Sequence, residues 1–134
     1  MRKLWRIFSC VALVVSMVVI WQADPVGRAE NSALKRVLIL NSYGQSYKWT
    51  RSIVDGASSV LLGQGDRMEL TVEDMDSKNI KEPAYFPLIK EVYAYKWRQK
   101  PFDLIIASDD TALQFLLQYR QQLFPQTPVI FCGV

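Results

Sequence analysis

Histidine is absent from this sequence of 134 residues, and cysteine occurs only at positions 10 and 132. The absence of histidine excludes Ser-His-Asp triads and metal sites built on imidazole ligands. Cys10 lies in an apolar N-terminal run and Cys132 in a strand-like run at the far end, so the sequence predicts no disulfide between them. We expect Cys132 to be a small, buried hydrophobic residue.

A strong excess of one charge is also missing. The 16 lysines and arginines against 13 aspartates and glutamates give a formal net charge of +3. Residues 1–30 hold four basic and two acidic side chains, which leaves a net charge of +1 on the remainder. A chain so close to neutral lacks the basic surface that nucleic acid requires, and we expect no nucleic-acid partner. A hydrophobic content of 50% excludes a disordered tail.

Residues 1–30 have the order of a secretory signal peptide: a basic start, an apolar run over residues 7–21, and small residues up to Ala29. The alternative is an uncleaved signal anchor, with residues 4–21 held in the inner membrane. In both cases the positive flank stays inside, so we expect the rest of the chain in the periplasm or another extracytoplasmic space.

The remainder alternates short apolar runs with segments of helical spacing. Strands are expected at residues 36–42, 68–75, 102–107 and 129–132. The three helices between them are expected to bury Ile53, Val54, Ala57, Val60 and Leu61, then Leu88, Ile89 and Val92, then Ala112, Leu113, Leu116 and Leu117. The order β-α-β-α-β-α-β predicts an α/β fold with a doubly wound parallel sheet over residues 35–134.

Ligands of such sheets bind beyond the carboxyl ends of the strands. The loop after the first strand contains Ser42, Tyr43, Tyr47 and Trp49, which suit an organic ligand through aromatic stacking and hydrogen bonds. Equally, Tyr47 and Trp49 can simply cover the start of the first helix. The loop lacks the glycine spacing of a phosphate-binding motif, which disfavours a nucleotide.

A second polar group follows the third strand. Ser108 and Asp109 satisfy the free N–H groups of a helix start, and this structural role alone accounts for at least one of them. The functional interpretation is that Ser108 and Asp109 bind a polar or amine-bearing ligand. Asp74 and Asp76, at the neighbouring strand end, would add acceptors.

Metal and covalent chemistry are both disfavoured. Carboxylates at one sheet edge are typical of the magnesium site of a receiver domain, but this chain has Asn41 and Ser42 where a receiver has acids. There is no nucleophile elbow, and Cys132 has no histidine to activate it. We therefore expect no metal, no cofactor and no catalysis, with a flavodoxin-like or hydrolase-type enzyme as a distant alternative.

Four segments in order also carry a family resemblance: residues 36–43 with Trp49, residues 73–78, residues 102–113 and residues 123–134. Together they resemble the ABC-transporter substrate-binding-like family, in particular the extracytoplasmic sensor modules of bacterial histidine kinases and diguanylate cyclases. The resemblance implies a type I periplasmic-binding-protein fold, in which two α/β lobes close on a small molecule. It puts the binding loops at Ser42, Tyr43, Trp49, Ser108, Asp109 and Gly133.

The function implied is the small-molecule-binding input domain of a membrane signalling protein. The alternative is the solute-binding component of an ABC transporter, which has the same fold and site. Two lobes need roughly 250–300 residues. We therefore expect residues 35–134 to be an incomplete first lobe, belonging to a longer sensor whose downstream signalling domains carry any kinase or cyclase activity.

Overall fold

A computed structural model gives the structure of residues 33–63 and 67–133. The predicted signal segment at residues 1–30, Cys10 included, lies outside these residues. None of the helices described is long and apolar enough to cross a membrane.

Strands and helices alternate strictly along the described residues. The elements are β1 (Lys35–Asn41), α1 (Lys48–Leu62), β2 (Met68–Asp74), α2 (Tyr85–Trp97), β3 (Leu104–Ser108), α3 (Asp110–Leu123) and β4 (Val129–Cys132). Every strand lies within two residues of its predicted position. The α/β class and the predicted element order are therefore confirmed.

The described strands form one parallel sheet with the order β2-β1-β3-β4. From β1 the chain passes first to β2 on one side and then to β3 on the other. The order therefore reverses between β1 and β3, which confirms the doubly wound sheet and places the switch point beside the end of β1.

Helices cover both faces of this sheet. On one face, α1 packs through Val54 and its neighbours against Val37, Ile39 and Ile106. On the other, α2 and α3 pack against a larger cluster that contains Leu38, Leu40, Ile105 and Ala107. Because β1 and β3 are covered on both sides, they read as continuous apolar runs, as a buried parallel strand should.

Aromatic side chains fill the layer between the sheet and the helices α2 and α3. Phe115 is fully buried, with the rings of Phe86 and Tyr93 edge-on at 5.5 and 5.7 Å between centroids. Tyr93 stacks on Trp97 at 4.3 Å, and Trp97 meets Phe102 edge-on at 5.4 Å. Tilted and edge-on pairs at these distances add to the hydrophobic gain of burial.

This aromatic layer overturns part of the predicted inner face of α2. Ile89 is buried as expected, but Leu88 and Val92 are exposed, and Tyr93 and Trp97 face the sheet instead. The buried positions Ile89, Tyr93 and Trp97 repeat every four residues, which is also a helical spacing, but two of the three are aromatic. Burying a large ring removes more apolar area from water than burying a valine, so the rings determine the rotation of the helix.

Two other predicted core positions are also wrong. Val60 of α1 and Leu117 of α3 are 60% and 78% exposed, whereas Phe115 and Leu116 are buried. In α3 the packing of Phe115 beneath α2 rotates the inner face toward the aromatic layer, so Leu117 turns to the surface.

Candidate functional site

Four strand ends lie side by side at one edge of the sheet. The register places Asn41 of β1 between Asp74 of β2 and Ser108 of β3, and it pairs Ser108 with Cys132 of β4. The segments that follow these residues therefore emerge at one edge of the sheet, which contains the switch point between β1 and β3. We call this surface the carboxyl edge and define it by Ser42, Tyr43, Tyr47, Trp49, Asp76, Lys78, Asp109 and Gly133.

Ser42 is completely buried at the base of this edge. Its hydroxyl donates a hydrogen bond to the backbone oxygen of Ser108 at 2.9 Å and accepts one from the backbone N–H of Ala112 at 2.8 Å. Ala112 lies in the first turn of α3, whose N–H groups have no partner within the helix. Ser42 therefore fastens the start of α3 to the end of β1, and Ser108, itself 2% exposed, lies within the same junction.

Asp109 is the N-cap of α3 and has an unusual backbone, with φ 74° and ψ 168°. This region is almost restricted to glycine, and a residue with a side chain pays about 1–3 kcal/mol to adopt it. The backbone N–H of Asp109 donates to the Cys132 oxygen at 2.9 Å, which ties the cap to the end of β4. Its carboxylate accepts from the N–H of Asp110, the first residue of the helix, at 2.8 Å.

The same carboxylate also accepts a hydrogen bond from the Tyr43 hydroxyl at 3.2 Å. Burial, then the charge of Asp109 and this hydrogen bond, raise the pKa of Tyr43 above its ordinary value of 10.0. Tyr43 therefore stays protonated at neutral pH and remains a donor. The contact joins the loop after β1 to the start of α3 across the switch point.

Trp49, the second residue of α1, lies against Gly133 and is 55% exposed. Gly133 has φ +73°, and a Cβ placed there would be 3.0 Å from Cζ2 of the indole. Glycine is therefore required at this position both for its backbone conformation and for the approach of the ring. Trp49 therefore joins the start of α1 to the end of β4, and about half of its surface is open to the solvent.

The turn after β2 is also anchored to this edge. Ser77 donates to the Ser42 backbone oxygen through its N–H at 2.9 Å and through its hydroxyl at 2.7 Å. Asp76 adopts φ 51° and accepts a hydrogen bond from the Asn79 side chain at 2.8 Å. Lys78 then extends over the aromatic loop, with Nζ 4.5 Å from the ring centroids of both Tyr43 and Tyr47.

Lys78 of the edge was not predicted from the sequence, and Asn41, which the sequence places at the end of β1, was not assigned a contact. Lys78 makes the aromatic contacts above, and nothing in the local pattern marks it among other exposed lysines. Asn41 is fully buried and donates through Nδ2 to Asp74 at 2.8 Å, while its Oδ1 has no hydrogen-bond partner among the described residues. An amide directly at the end of a buried strand was the available signal for Asn41, since a buried polar group needs a partner.

The thiol and the carboxylates are ionisable groups at this edge. Burial, with the charge of Asp109, raises the pKa of the Cys132 thiol above its ordinary value of 9.0, so it stays neutral. Within residues 33–63 and 67–133 there is no cluster of three or more metal-ligating side chains. The groups that remain are hydroxyls, carboxylates and aromatic faces, which suit non-covalent binding.

The six residues that the sequence predicted for a site are therefore brought together, in two layers. Ser42 and Ser108 form the buried base, while Tyr43, Trp49, Asp109 and Gly133 lie above it and reach the surface to different extents. Comparisons with protein-family models, with curated proteins and with solved structures found no match to this chain. The family resemblance thus stays a hypothesis that rests on the residues.

Proposed function

We propose that residues 35–134 belong to an extracytoplasmic domain that binds a small molecule as the sensory input of a membrane signalling protein. The observation that carries this proposal is that the Tyr43–Asp109 hydrogen bond and the Trp49–Gly133 contact lie on the one sheet edge that contains the switch point, although these residues come from separate elements. A switch point is where open parallel sheets bind their ligands.

Two features of the carboxyl edge, the backbone of Asp109 and the exposure of Trp49, favour a ligand-binding role over a purely structural one. Asp109 retains a strained backbone although glycine would adopt it at no cost, and strain of this kind collects at functional sites. Trp49 is 55% exposed beside Gly133, which leaves much of the indole accessible to a ligand. A half-exposed indole on Gly133 and the Asp109 carboxylate on the same edge suit a ligand with an apolar body and a polar group.

Binding would be tested on the full chain by saturation-transfer NMR with a defined mixture of amino acids, polyamines and short mono- and dicarboxylic acids. We expect at least one compound to show transfer that Trp49→Ala and Asp109→Asn both reduce. Tyr95→Ala is the matched control, because Tyr95 is an exposed ring on α2 that lies outside the carboxyl edge. Transfer that survives both edge variants, or that Tyr95→Ala removes equally, would place the binding elsewhere and contradict the proposal.

The membrane part of the proposal rests on the apolar order of residues 1–30. An alkaline phosphatase fused after residue 134 should be active in a bacterial host, since this enzyme needs the periplasm. Fractionation then separates the two alternatives of the signal segment. Retention in the membrane supports the sensor, release into the periplasm supports the solute-binding component, and an inactive fusion contradicts both.

A further inference from the structure

Within the carboxyl edge, one feature already resembles a bound complex. The ammonium group of Lys78 lies 4.5 Å from the ring centroids of both Tyr43 and Tyr47. The two rings are 5.9 Å apart and tilted by 57°, so they form two walls of an open aromatic cage. Cations are attracted to ring faces at this distance, and aromatic cages of this kind recognise organic ammonium groups.

The backbone beneath the cage holds it in shape. Ser77 is fixed by its two hydrogen bonds to Ser42, and Tyr43 is held by its hydrogen bond to Asp109. Lys78 is exposed, its ammonium contacts the two ring faces, and it forms no ion pair with a carboxylate in the described part of the chain, so its side chain can leave the cage. Tyr43 is therefore held at its hydroxyl and Tyr47 through its backbone hydrogen bonds to Gly44 and Arg51, whereas the cation that fills the cage is held on a flexible stem.

Charge near the cage points in the same direction. The carboxylate of Asp109 accepts the Tyr43 hydroxyl at one wall of the cage, and Asp76 belongs to the turn that carries Lys78. A ligand ammonium that replaced Lys78 would find aromatic faces on two sides and a carboxylate acceptor within the same group of residues. An anionic ligand would instead meet the charge of Asp109.

We propose that the Tyr43–Tyr47 cage binds the ammonium group of a small organic cation, and that Lys78 is a built-in competitor which the ligand displaces. The inference rests on the proposed function, because it names the ligand class of the same edge. A competitor of this kind lowers the apparent affinity, which equals the intrinsic affinity of the empty cage multiplied by the fraction of molecules in which the cage is empty.

The test uses tetramethylammonium chloride, titrated against the full chain and followed by the broadening of its methyl NMR signal, with sodium chloride keeping the ionic strength constant. Lys78→Met should bind the probe about 5–30-fold more tightly, which is the factor expected for removing two exposed cation–π contacts. Tyr47→Leu should abolish binding. Lys81→Met is the matched control: it removes the same charge from an exposed lysine nearby, which makes none of the described cation–π contacts.

Several outcomes would overturn the inference. Unchanged or weaker binding by Lys78→Met would mean that Lys78 does not compete for the cage. An equal gain in Lys81→Met would reduce the effect to overall charge. Binding of sodium acetate that Lys78→Met abolishes would make Lys78 the receptor of an anion. A neutral or acidic compound that binds through Trp49 and Asp109, with no ammonium compound doing so, would overturn this inference and leave the proposed function standing.

Discussion

Ser42 offers the sharpest prediction about this molecule, because the sequence predicts a ligand-binding role for it whereas the structure shows a structural one. As a ligand-binding residue, Ser42 would affect affinity. As the structure has it, the hydroxyl is buried between the Ser108 oxygen and the Ala112 N–H. Ser42→Ala should therefore act mainly on the free energy of unfolding.

The magnitude follows from what the alanine leaves behind. The Ala112 N–H loses its acceptor in a fully buried residue, which costs about 1–3 kcal/mol. The Ser108 oxygen loses one of its donors but keeps the Ser42 backbone N–H at 3.0 Å, so its loss is the smaller one, about 0.5–1.5 kcal/mol. We expect a total of about 1.5–4.5 kcal/mol, or roughly 6–36 °C in Tm for a domain of about 100 residues.

Urea unfolding of the full chain, followed by far-ultraviolet circular dichroism, measures this loss. Ser46→Ala is the control, since Ser46 lies exposed in the loop after β1, and it should change stability by less than about 0.5 kcal/mol. A Ser42→Ala variant as stable as the parent would refute the conclusion that the Ser42 hydroxyl stabilises the fold by joining β1 to α3. If that variant also bound ligand poorly, the contact predicted from the sequence would be the correct one.

Three further predictions concern the core, the cap and the opposite end of the sheet. Phe115→Ala should cost about 3–5 kcal/mol in urea unfolding, against less than about 0.5 kcal/mol for exposed Leu117→Ala, and equal losses would contradict the aromatic layer. Asp109→Gly should be more stable than Asp109→Ala by about 1–3 kcal/mol, because both lose the carboxylate but only glycine relieves the positive φ; equal stabilities would disprove the strain. A hydrogen bond from the Arg36 N–H, followed by one from Lys35, lowers the pKa of Asp103 below its ordinary value of 3.8 in the folded state. The Asp103 carboxylate therefore stabilises the fold above pH 3.8, and this stabilisation is lost as the pH falls through the folded-state pKa. Asp103→Asn should therefore flatten stability against pH from about pH 4 downward, and an unchanged acid slope would rule out this contribution.

Strands and helices were predictable because their signals are local. The apolar runs at β1 and β3 mark strands covered on both faces, and the structure confirms the parallel sheet that they predict. The rotation of each helix was less predictable. Leu88 and Tyr93 both fit an apolar stripe of α2, and only the neighbouring rings of Phe115 and Trp97 decide which of the two is buried.

For the candidate site, chain order was enough to assemble the principal residues. Tyr43 and Asp109 follow strands that any parallel arrangement brings to the same edge, so their shared edge could be anticipated without coordinates, whereas their contact depends on β1 and β3 being neighbours. Their exposure could not. Ser42 is buried while Trp49 is half open, and this division depends on where the start of α3 and the end of β4 come to rest.

By itself the sequence determined the element order, the parallel pairing and the edge at which polar residues collect, because hydrophobic period and strand polarity are properties of short segments. Only the tertiary structure decided three features of the edge. Lys78 fills an aromatic cage, Ser42 in the loop after β1 accepts a hydrogen bond from the start of α3, and Asp109 adopts a strained backbone. Each of these depends on contacts between residues more than 25 positions apart in the chain or on the backbone they impose. Such contacts are set by how the layers pack, which no local pattern encodes.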